Sequence, residues 1–395
     1  MSSKLKHSVA VMGLPLANVT ADEAVEQIEG LILSGGTHQV ATANLDFWLN
    51  SLNDVHLHRI IAGCSLVLPD GMPLVWISRL LGNPLKERVS GVDLVPQLAE
   101  LSARKGYGIY LLGGRPGVAE RAGKKLQEMH PGVNIVGCHA PALADLEHMD
   151  HGNTLERIRE AKPDILLVAF GNPKQEKWIR MHARSYGVPV SIGIGGSMDM
   201  LVGDVKRAPM WMQRSGLEWL GRCLQEPTRL MPRYLRNFAG LATKLPLALM
   251  ASLLQRQHRG TSSVSRSSDA GMVHLHIQGG LEASTAGTLD WAATNCIAEG
   301  QLLVVHLGGL EYASADGLGA LLDARQRLLA KGLSLTLAGV PARMKLIFSA
   351  WCLEPLFDEF KIERERFAMS KKATRMPRFA TLVGEEISLP IKSES

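Results

Sequence analysis

Short apolar runs alternate with amphipathic stretches of helical spacing from about residue 7 to residue 205. The apolar runs have the length of strands and comprise Ser8–Met12, Gln39–Ala43, Leu66–Leu68, Ile109–Leu112, Asn134–Val136, Ile165–Phe170 and Val190–Ile194. The amphipathic stretches comprise Ala21–Leu33, Val92–Arg104, Val118–Met129 and Pro173–Tyr186. This alternation predicts an α/β domain with a Rossmann-like, mostly parallel sheet that helices cover on both faces. Because ligands bind beyond the carboxyl ends of such strands, we expect the chemistry just after the apolar runs.

The pattern changes four times after this α/β domain, which we assign to residues 1–205. A basic helical appendage spans 206–259, and a Ser/Gly-rich linker spans 260–271. A second, small α/β unit spans 272–361, and a charged tail without periodicity, expected to be flexible, spans 362–395. The predicted strands and helix of the small unit are Val273–Ile277, Leu302–Leu307, Ser334–Leu337 and Asp316–Ala330.

Composition narrows the class of protein. The 395 residues, 46% hydrophobic and 21% charged, exclude a wholly disordered or fibrous chain and suit two domains. Five cysteines without a C-x-x-C pair argue against a disulfide framework and favour a reducing compartment. The first residues lack the apolar run of a signal peptide, and the longest apolar candidate, Leu245–Leu254, is too short to span a membrane. We therefore expect a cytoplasmic protein.

The charge is concentrated in one segment. Ten basic and two acidic residues give residues 205–259 a charge of +8, so the rest of the chain carries −3 of the total of +5. Aromatic and aliphatic residues lie among these arginines. A basic segment of this kind predicts an anionic partner, which is a phosphate group, a membrane surface or nucleic acid.

One motif combines a strand end with a helix start. Asn172, Pro173 and Gln175 follow the apolar run Ile165–Phe170 and suit the N-cap, the first helical position and a capping box. A helix N-terminus at a strand end favours a phosphate, because its free N–H groups and dipole attract negative charge. An ordinary capped helix is the alternative.

Polar side chains follow several other strands. Asp70, in P-D-G, can act as a general base, or it is a turn aspartate. Thr42 and Asn44 can hold sugar hydroxyls or a nucleotide, or they cap the next helix. Arg88 and Asp93 flank a glycine, and the alternative is a surface loop.

Two glycine-rich turns let the backbone approach a ligand. They contain Gly113 and Gly114 in one case and Gly195 and Gly196 in the other. Neither fits G-x-G-x-x-G, because Met198 stands where the third glycine belongs, so a dinucleotide cofactor is disfavoured. The chain has no D-x-D and no H-E-x-x-H. We expect no cofactor and no metal, and a diphosphate would be held by helix dipoles and arginines.

These motifs in order resemble the WecG/TagA/CpsF glycosyltransferase family. They are T-A-N at 42–44, P-D-G at 69–71, E-R-V-S-G-V-D at 87–93, L-L-G-G at 111–114, G-N-P-K-Q-E at 171–176, G-I-G-G-S-M-D at 193–199, K-R-A-P at 206–209, L-E-W-L-G-R at 217–222 and E-P-T-R-L…R-Y at 226–234. The resemblance covers about residues 8–240. It implies inverting transfer of a sugar from a UDP-sugar to a polyprenyl-diphosphate-linked saccharide, at the cytoplasmic face of the membrane, in surface or exopolysaccharide biosynthesis.

The resemblance also assigns roles to residues. Asp70 matches the proposed general base, and Thr42 and Asn44 match polar positions near donor and acceptor. The residues expected to bind substrate are Arg88, Asp93, Gly113, Gly114, Asn172, Lys174, Gln175, Glu176, Gly195, Gly196, Asp199, Arg207, Arg222, Arg229 and Arg233. The appendage implies docking on an anionic membrane, for which we expect Trp219, Leu220, Leu224, Leu235 and Phe238 to enter the interface. The alternative is a basic surface helix that packs on its own domain.

The second unit resembles a STAS domain. The family pattern D-S-[ST]-G-L-G is here Ser314-Ala315-Asp316-Gly317-Leu318-Gly319, so Ala315 replaces the serine that is usually phosphorylated. We expect a docking or dimerising module, with a protein partner or a second copy of the chain, and a helix-capping role for Ser314.

Two other functions stay open. A nucleotide-binding regulatory scaffold would act through the STAS-like unit with an inactive transferase domain, and a dinucleotide-dependent oxidoreductase would use the same sheet. The intact motifs argue against the first, and the missing G-x-G-x-x-G argues against the second.

Overall fold

The computed structural model describes residues 8–142, 144–256, 262–269 and 271–357. The strands are β1 Ser8–Val11, β2 Leu14–Ala17, β3 His38–Ala43, β4 Leu66–Pro69, β5 Gly108–Gly113, β6 Asn134–His139, β7 Ile165–Ala169, β8 Val190–Gly193, β9 Ser263–Asp269, β10 Met272–Leu281, β11 Leu302–Ala313 and β12 Leu335–Ala338. The helices are α1 Ala21–Ser34, α2 Leu45–Asn53, α3 Val55–Ala62, α4 Met72–Leu80, α5 Gly91–Lys105, α6 Val118–Met129, α7 His151–Ala161, α8 Lys174–Tyr186, α9 Ser197–Leu201, α10 Met210–Arg214, α11 Glu218–Gln225, α12 Pro227–Arg256, α13 Ala283–Glu299, α14 Ala315–Ala330 and α15 Ala342–Ala350. Short 3₁₀ turns lie at Leu146–His148 and Glu354–Leu356.

The predicted parallel sheet is confirmed. Its strands lie in the order β4-β3-β8-β7-β5-β6, and every neighbouring pair is parallel. All carboxyl ends therefore lie along one edge. Both faces are buried: Leu111 and Leu167 face the core under α1, α5 and α6, whereas Leu112 and Val168 face the core under α7 and α8. Burial on both faces explains why these strands read as continuous apolar runs.

The first apolar run does not join this sheet, contrary to the prediction. In the described chain, β1 pairs antiparallel with β2 in a separate two-stranded sheet. Met12 and Gly13, with φ of 48° and 88°, form the two-residue turn between them. Positive φ at both turn residues suits a tight hairpin, which returns the chain on itself before it can reach the parallel sheet.

The predicted linker is wrong for most of its length. Ser263–Asp269 forms β9 and pairs antiparallel, over its full length, with Met272 to Gln278 of β10. The sequence pattern did not predict this strand, because its serines and arginine give no alternation of apolar and polar residues. Its pairing instead satisfies the backbone N–H and C=O groups at the edge of β10. Residues 260, 261 and 270, the end of the predicted small unit from 358 and the predicted tail 362–395 lie outside the described residues.

The appendage ends in one long helix. α12 runs through Pro232 and Pro246 for 30 residues, which is about 45 Å at 1.5 Å per residue. By length and composition alone, its segment Leu230–Gln255, which contains an 18-residue window with a mean hydropathy of 1.3, is apolar enough to cross a membrane. No such helix was expected from uninterrupted apolar runs. In the folded chain, Ala248 and Ala251 of this segment are buried in a core shared with both domains.

The small domain has the predicted strands and helix, with longer strands. Its sheet has the order β12-β11-β10-β9, with α13 and α14 over one face. Ser314 caps α14 by accepting a hydrogen bond from the Gly317 N–H at 3.1 Å, which confirms its predicted role. The same hydrophobic core continues into the β1–β2 hairpin, α2 and α3 of the larger domain.

We expect Trp48→Ala to destabilise the protein by about 3–5 kcal/mol. Trp48 is fully buried in the shared core, and its indole N–H donates to the Met12 carbonyl at 2.9 Å. Trp211→Ala is the control, because Trp211 is 64% exposed, and it should change stability by less than about 0.5 kcal/mol. Chemical denaturation measures both, and equal midpoints for the two variants would contradict the role of Trp48.

Candidate active site

A cleft of about 350 Å³ lies at the carboxyl edge of the parallel sheet, between the strand ends and the appendage. Asn44 and Asp70 line it from the ends of β3 and β4, and Arg222 and Arg233 line it from α11 and α12. Residues that are far apart in the sequence thus face one space, as the sheet topology predicts.

Asp70 lies at the floor of this cleft, directly after β4. Its N–H donates to the Ala43 carbonyl at 2.7 Å, which fixes the turn. Burial raises the pKa of the Asp70 carboxyl to about 6, against the opposing effect of the Arg88 and Arg222 charges. The carboxyl is therefore mostly ionised at pH 7, yet it binds a proton more readily than an ordinary aspartate.

The two polar residues after β3 are engaged in local hydrogen bonds. The Thr42 hydroxyl donates to the Gly193 carbonyl at 2.8 Å, and the Asn44 side-chain oxygen accepts from the Asp46 and Phe47 N–H groups at the start of α2. Both residues line the cleft. Asn44 therefore caps α2, as the alternative interpretation predicted, and the Thr42 hydroxyl joins β3 to β8.

Four charged side chains form a network beside Asp70. Arg88 donates to Glu218 at 2.7 Å and to Asp93 at 2.9 Å. Arg207 also contacts both acids, with its closest approach to Asp93 at 2.7 Å. Although burial opposes it, hydrogen bonds from Arg207 and Ser90 hold the pKa of Asp93 below its usual range. Two cations and two anions neutralise each other here, so Arg88 and Arg207 tie the appendage to the sheet edge.

Other groups on the cleft wall have buried atoms without a partner among the described residues. The Nε atoms of Arg222 and Arg233, the indole nitrogen of Trp219 and the side-chain oxygen of Asn237 are buried and form no hydrogen bond. Buried polar atoms of this kind normally have partners. All four residues line the cleft, although these particular atoms lie beneath its surface.

The G-N-P-K-Q-E segment folds differently from the prediction. α8 begins at Lys174, and no side chain caps it, so the predicted capping box is wrong. The Gln175 side-chain oxygen instead accepts from the N–H groups of Gly171 at 3.1 Å and Gly195 at 3.0 Å. Asn172 is drawn away from the helix end because its amide donates to Glu176 at 3.0 Å. Gln175 therefore holds two strand-end loops together.

Glu176 lies beneath the cleft wall and is almost fully buried. Burial raises the pKa of its carboxyl to about 7, although hydrogen bonds from Gln175 and Asn172 oppose the rise. Its Oε1 atom has no hydrogen-bond partner in the described chain. A Cβ on Gly193 would lie 2.7 Å from that atom, which explains why β8 ends in glycine.

A second cavity of about 240 Å³ shares a wall with the first. Gly195, Gly196 and Asp199 line both. Lys174 and the Phe170 ring line the second cavity, and the Lys174 ammonium lies 5.5 Å from the centre of that ring. An aromatic face beside a cation suits a flat heterocycle that carries phosphate groups.

The structure brings most of the predicted site residues together. Those that line one or both cavities are Thr42, Asn44, Asp70, Arg88, Gly114, Asn172, Lys174, Gln175, Gly195, Gly196, Asp199, Arg222 and Arg233. Asp93, Arg207 and Glu176 lie behind this lining, and Gly113 is the last residue of β5, with φ of 98°. The side chain of Arg229 is not among those that the structure describes.

Sequence reasoning missed Glu218 as a site residue. It is one of two acids in the basic segment, and this isolation is the signal that could have identified it as an ion-pair partner. Trp219 and Phe238 were expected to enter lipid, but Trp219 lines the cleft and packs on the Phe238 ring at 5.2 Å. The expectation that these two side chains enter lipid is therefore wrong. Leu235, for which the same was expected, is 63% exposed.

The described residues contain no group of three or more His, Cys, Asp or Glu side chains that could hold a metal ion. The cationic side chains that act on the Asp70 carboxyl are Arg88 and Arg222.

Comparison with protein families gives two matches. Residues 9–257 match the glycosyl transferase WecG/TagA/CpsF family, and residues 264–356 match a family described as Mlab, STAS domain. The second match begins within β9, in agreement with the corrected start of the small domain.

Curated relatives cover the same part of the chain. A protein of Bacillus subtilis (strain 168) is 33% identical over 190 residues, which is 48% of this chain and 72% of the relative. A protein of Staphylococcus aureus (strain MW2) is 30% identical over 224 residues, which is 56% of this chain and 86% of the relative. Both are named N-acetylglucosaminyldiphosphoundecaprenol N-acetyl-beta-D-mannosaminyltransferase.

We expect Glu176→Gln to stabilise the protein increasingly as the pH rises. The pKa of Glu176 is about 7 in the folded chain, against 4.5 when exposed. The native chain therefore loses stability as the pH rises from about 4.5 to about 7, where the unfolded chain has released this proton and the folded chain still holds it, whereas the variant has no such proton. Thermal unfolding at pH 5 and pH 8 measures the difference. A melting-temperature gap between variant and native chain that does not grow from pH 5 to pH 8 would contradict the prediction.

Proposed function

The chain belongs to the WecG/TagA/CpsF glycosyltransferase family, and from this membership we propose that it moves a sugar from a UDP-sugar to a polyprenyl-diphosphate-linked saccharide with inversion at the anomeric carbon. The names of the relatives indicate an N-acetylhexosaminyl donor and an acceptor that begins with N-acetylglucosamine on undecaprenyl diphosphate. The product would enter the synthesis of a bacterial surface polysaccharide or exopolysaccharide.

One observation carries this proposal. A carboxyl with a raised pKa, Asp70, shares a cleft with the guanidinium groups of Arg222 and Arg233. Sugar transfer needs a base for an incoming hydroxyl and positive charge for a departing diphosphate. The cleft contains both kinds of group, the carboxyl at the strand ends and the guanidinium groups on the appendage.

The proposed step is a single displacement. The acceptor hydroxyl oxygen attacks the anomeric carbon of the donor and forms the new glycosidic bond, while Asp70 takes the hydroxyl proton. The bond from the anomeric carbon to the UDP oxygen breaks, and UDP leaves with that electron pair. Because attack and departure occur on opposite faces of one carbon, the configuration inverts.

Arg222 and Arg233 would stabilise the charge that develops on the departing diphosphate. A Cβ on Gly196 would lie 3.9 Å from Arg222 Nη2, so this guanidinium covers the wall that the two cavities share. We place the uridine in the second cavity, beside Phe170 and Lys174, and the sugar with its acceptor in the first. Charged hydrogen bonds in a partly buried site are the strong ones, and their geometry exists before the charge develops.

The two alternative functions fare differently. The family assignment argues against a dinucleotide-dependent oxidoreductase, because the matched family consists of glycosyltransferases. A scaffold with an inactive transferase domain makes a distinct prediction, because it would bind UDP without releasing it from a UDP-sugar.

A screen of UDP-sugars with membrane extract, followed by mass spectrometry of the lipid product, identifies the donor and tests turnover.

We expect Asp70→Asn to lower kcat at least about 10²-fold while UDP binding survives, because the variant loses the base and keeps the arginines. In the native chain, kcat/KM should rise from pH 5 to pH 7 with a midpoint near the Asp70 pKa of about 6, since the ionised form is the base. UDP release in the presence of the lipid-linked acceptor measures both.

Asp22→Asn is the control for this substitution, because Asp22 is exposed on α1 and should leave kcat unchanged. Equal kcat for Asp70→Asn and the native chain would remove Asp70 from the mechanism.

We further propose that α12 lies on the inner face of the plasma membrane, so that the enzyme is peripheral. Leu235, Leu247, Met250 and Leu254 are 48–63% exposed, and together they form what we call the apolar stripe of α12. Basic residues of the same segment would face anionic headgroups. Such docking brings the lipid-linked acceptor to the cleft.

We expect the combined variant Leu247→Glu, Met250→Glu and Leu254→Glu to lose binding to vesicles that contain an anionic phospholipid, because three carboxylates replace the apolar stripe. Flotation with vesicles measures this. Leu33→Glu, at a residue 72% exposed on α1, should float like the native chain. Undiminished flotation of the triple variant would reject the docking surface.

A further inference from the structure

We propose that the STAS domain is an intramolecular clamp that holds α12, and with it the cleft residues Arg233 and Asn237, in place over the active site. The inference rests on the proposed function of that cleft, but its central observation is the contact between the two domains. The partner of this STAS domain is then the glycosyltransferase domain of its own chain.

The first contact joins α14 to the β1–β2 hairpin. Gly319 lies so close to β1 that a Cβ there would overlap the Ser8 carbonyl oxygen. One turn along the helix, the Asp323 carboxylate accepts from the Ser8 N–H at 2.7 Å. A glycine in the middle of a helix lowers the stability of that helix by about 1 kcal/mol relative to alanine. Here the glycine permits the close approach of two backbones.

This contact covers the segment where the STAS resemblance would place a phosphorylated serine. Ala315 and Leu318 are each about 1% exposed, and Ser314 is occupied as the cap of α14. The face that an outside partner would need is therefore filled by the chain's own hairpin, and Ala315 has no hydroxyl to modify.

The second contact joins the STAS domain to α3. The Arg59 guanidinium donates to the Pro355 carbonyl at 3.1 Å. Nearby, His58 is buried and contacts the Gly13 carbonyl oxygen at 3.1 Å, and burial holds the pKa of its imidazole below the ordinary value. The hairpin and α3 are thus fixed against the end of the small domain.

The third contact joins the STAS domain to the C-terminal half of α12. Ala248 and Ala251 are buried in one core with Met344 and Ile347 of α15. The Gln255 side chain accepts from the Ala313 N–H, which ends β11, at 2.8 Å. This half of the helix is therefore bound by packing and by a buried hydrogen bond.

The N-terminal half of α12 reaches the active site. Arg236 donates to Asp46 at 3.0 Å and to Asn50 at 3.3 Å on α2, and the Asn50 amide donates to Asn172 at 2.8 Å. Arg233 and Asn237 lie on the same half and line the cleft. Because a continuous helix transmits the position of one end to the other, fixing the C-terminal half fixes where the cleft residues lie.

The test substitutes one residue on two faces of α12. Ala251→Glu places a carboxylate in the contact with α15, where Ala251 is 6% exposed, whereas Ala242→Glu places it at an exposed position of the same helix. Amide hydrogen exchange is measured over residues 227–240, together with kcat/KM on the lipid-linked acceptor. We expect Ala251→Glu to speed exchange there at least tenfold and to lower kcat/KM at least tenfold, and Ala242→Glu to change neither.

Exchange in β10 and β11 shows whether the small domain stays folded. If Ala251→Glu unfolds it, Gly319→Leu becomes the test variant, and Gly287→Leu is its control. The two are matched because each glycine is the fifth residue of its helix, but Gly287 faces open space. Unchanged exchange over 227–240, or faster exchange with unchanged kcat/KM, overturns the clamp. If the native chain transfers no sugar, the proposed function fails, and the exchange data alone still decide whether the clamp exists.

Discussion

The ion-pair network of Arg88, Arg207, Asp93 and Glu218 is the interaction on which the site depends. It joins the loop between α4 and α5, the start of α5, the segment before α10 and the start of α11. Removal of any member would leave a partly buried charge without compensation, which is costly in such networks. The network fixes the appendage at the sheet edge, and only in that position does the cleft have its second wall.

The arginines of the site are of two kinds, those inside this network and those outside it. Arg88 and Arg207 are neutralised by the acids of the network, whereas Arg222 and Arg233 line the cleft, with Arg233 at 3.9 Å from Asp46. The charges also influence Asp70, since Arg88 and Arg222 lower its pKa while burial, Glu218 and Asp93 raise it. The balance leaves this carboxyl with a pKa of about 6, which suits a general base near neutral pH.

The two domains share one hydrophobic core, which contains the β1–β2 hairpin, part of α12 and the interior of the STAS domain. The hairpin, which the sequence pattern assigned to the parallel sheet, is instead the surface on which α14 lies. A module expected to bind another protein is thereby engaged within its own chain. The exposed apolar stripe and the cleft residues lie on one helix, so the proposed docking on lipid would be mechanically connected to the geometry of the cleft.

The amino-acid sequence by itself determined the parallel sheet, the helical appendage, the small α/β domain and the set of residues at the strand ends. Those features follow from periodicity and from neighbours along the chain, as for Asp70 after β4 and the G-N-P-K-Q-E segment after β7. Only the tertiary structure decided that Gln175 binds two loops, that β9 completes the small sheet and that Glu218 belongs to the site. The physical reason is that burial, ion pairing and strand pairing depend on contacts such as that between Arg88 and Glu218, 130 residues apart, which no local pattern encodes.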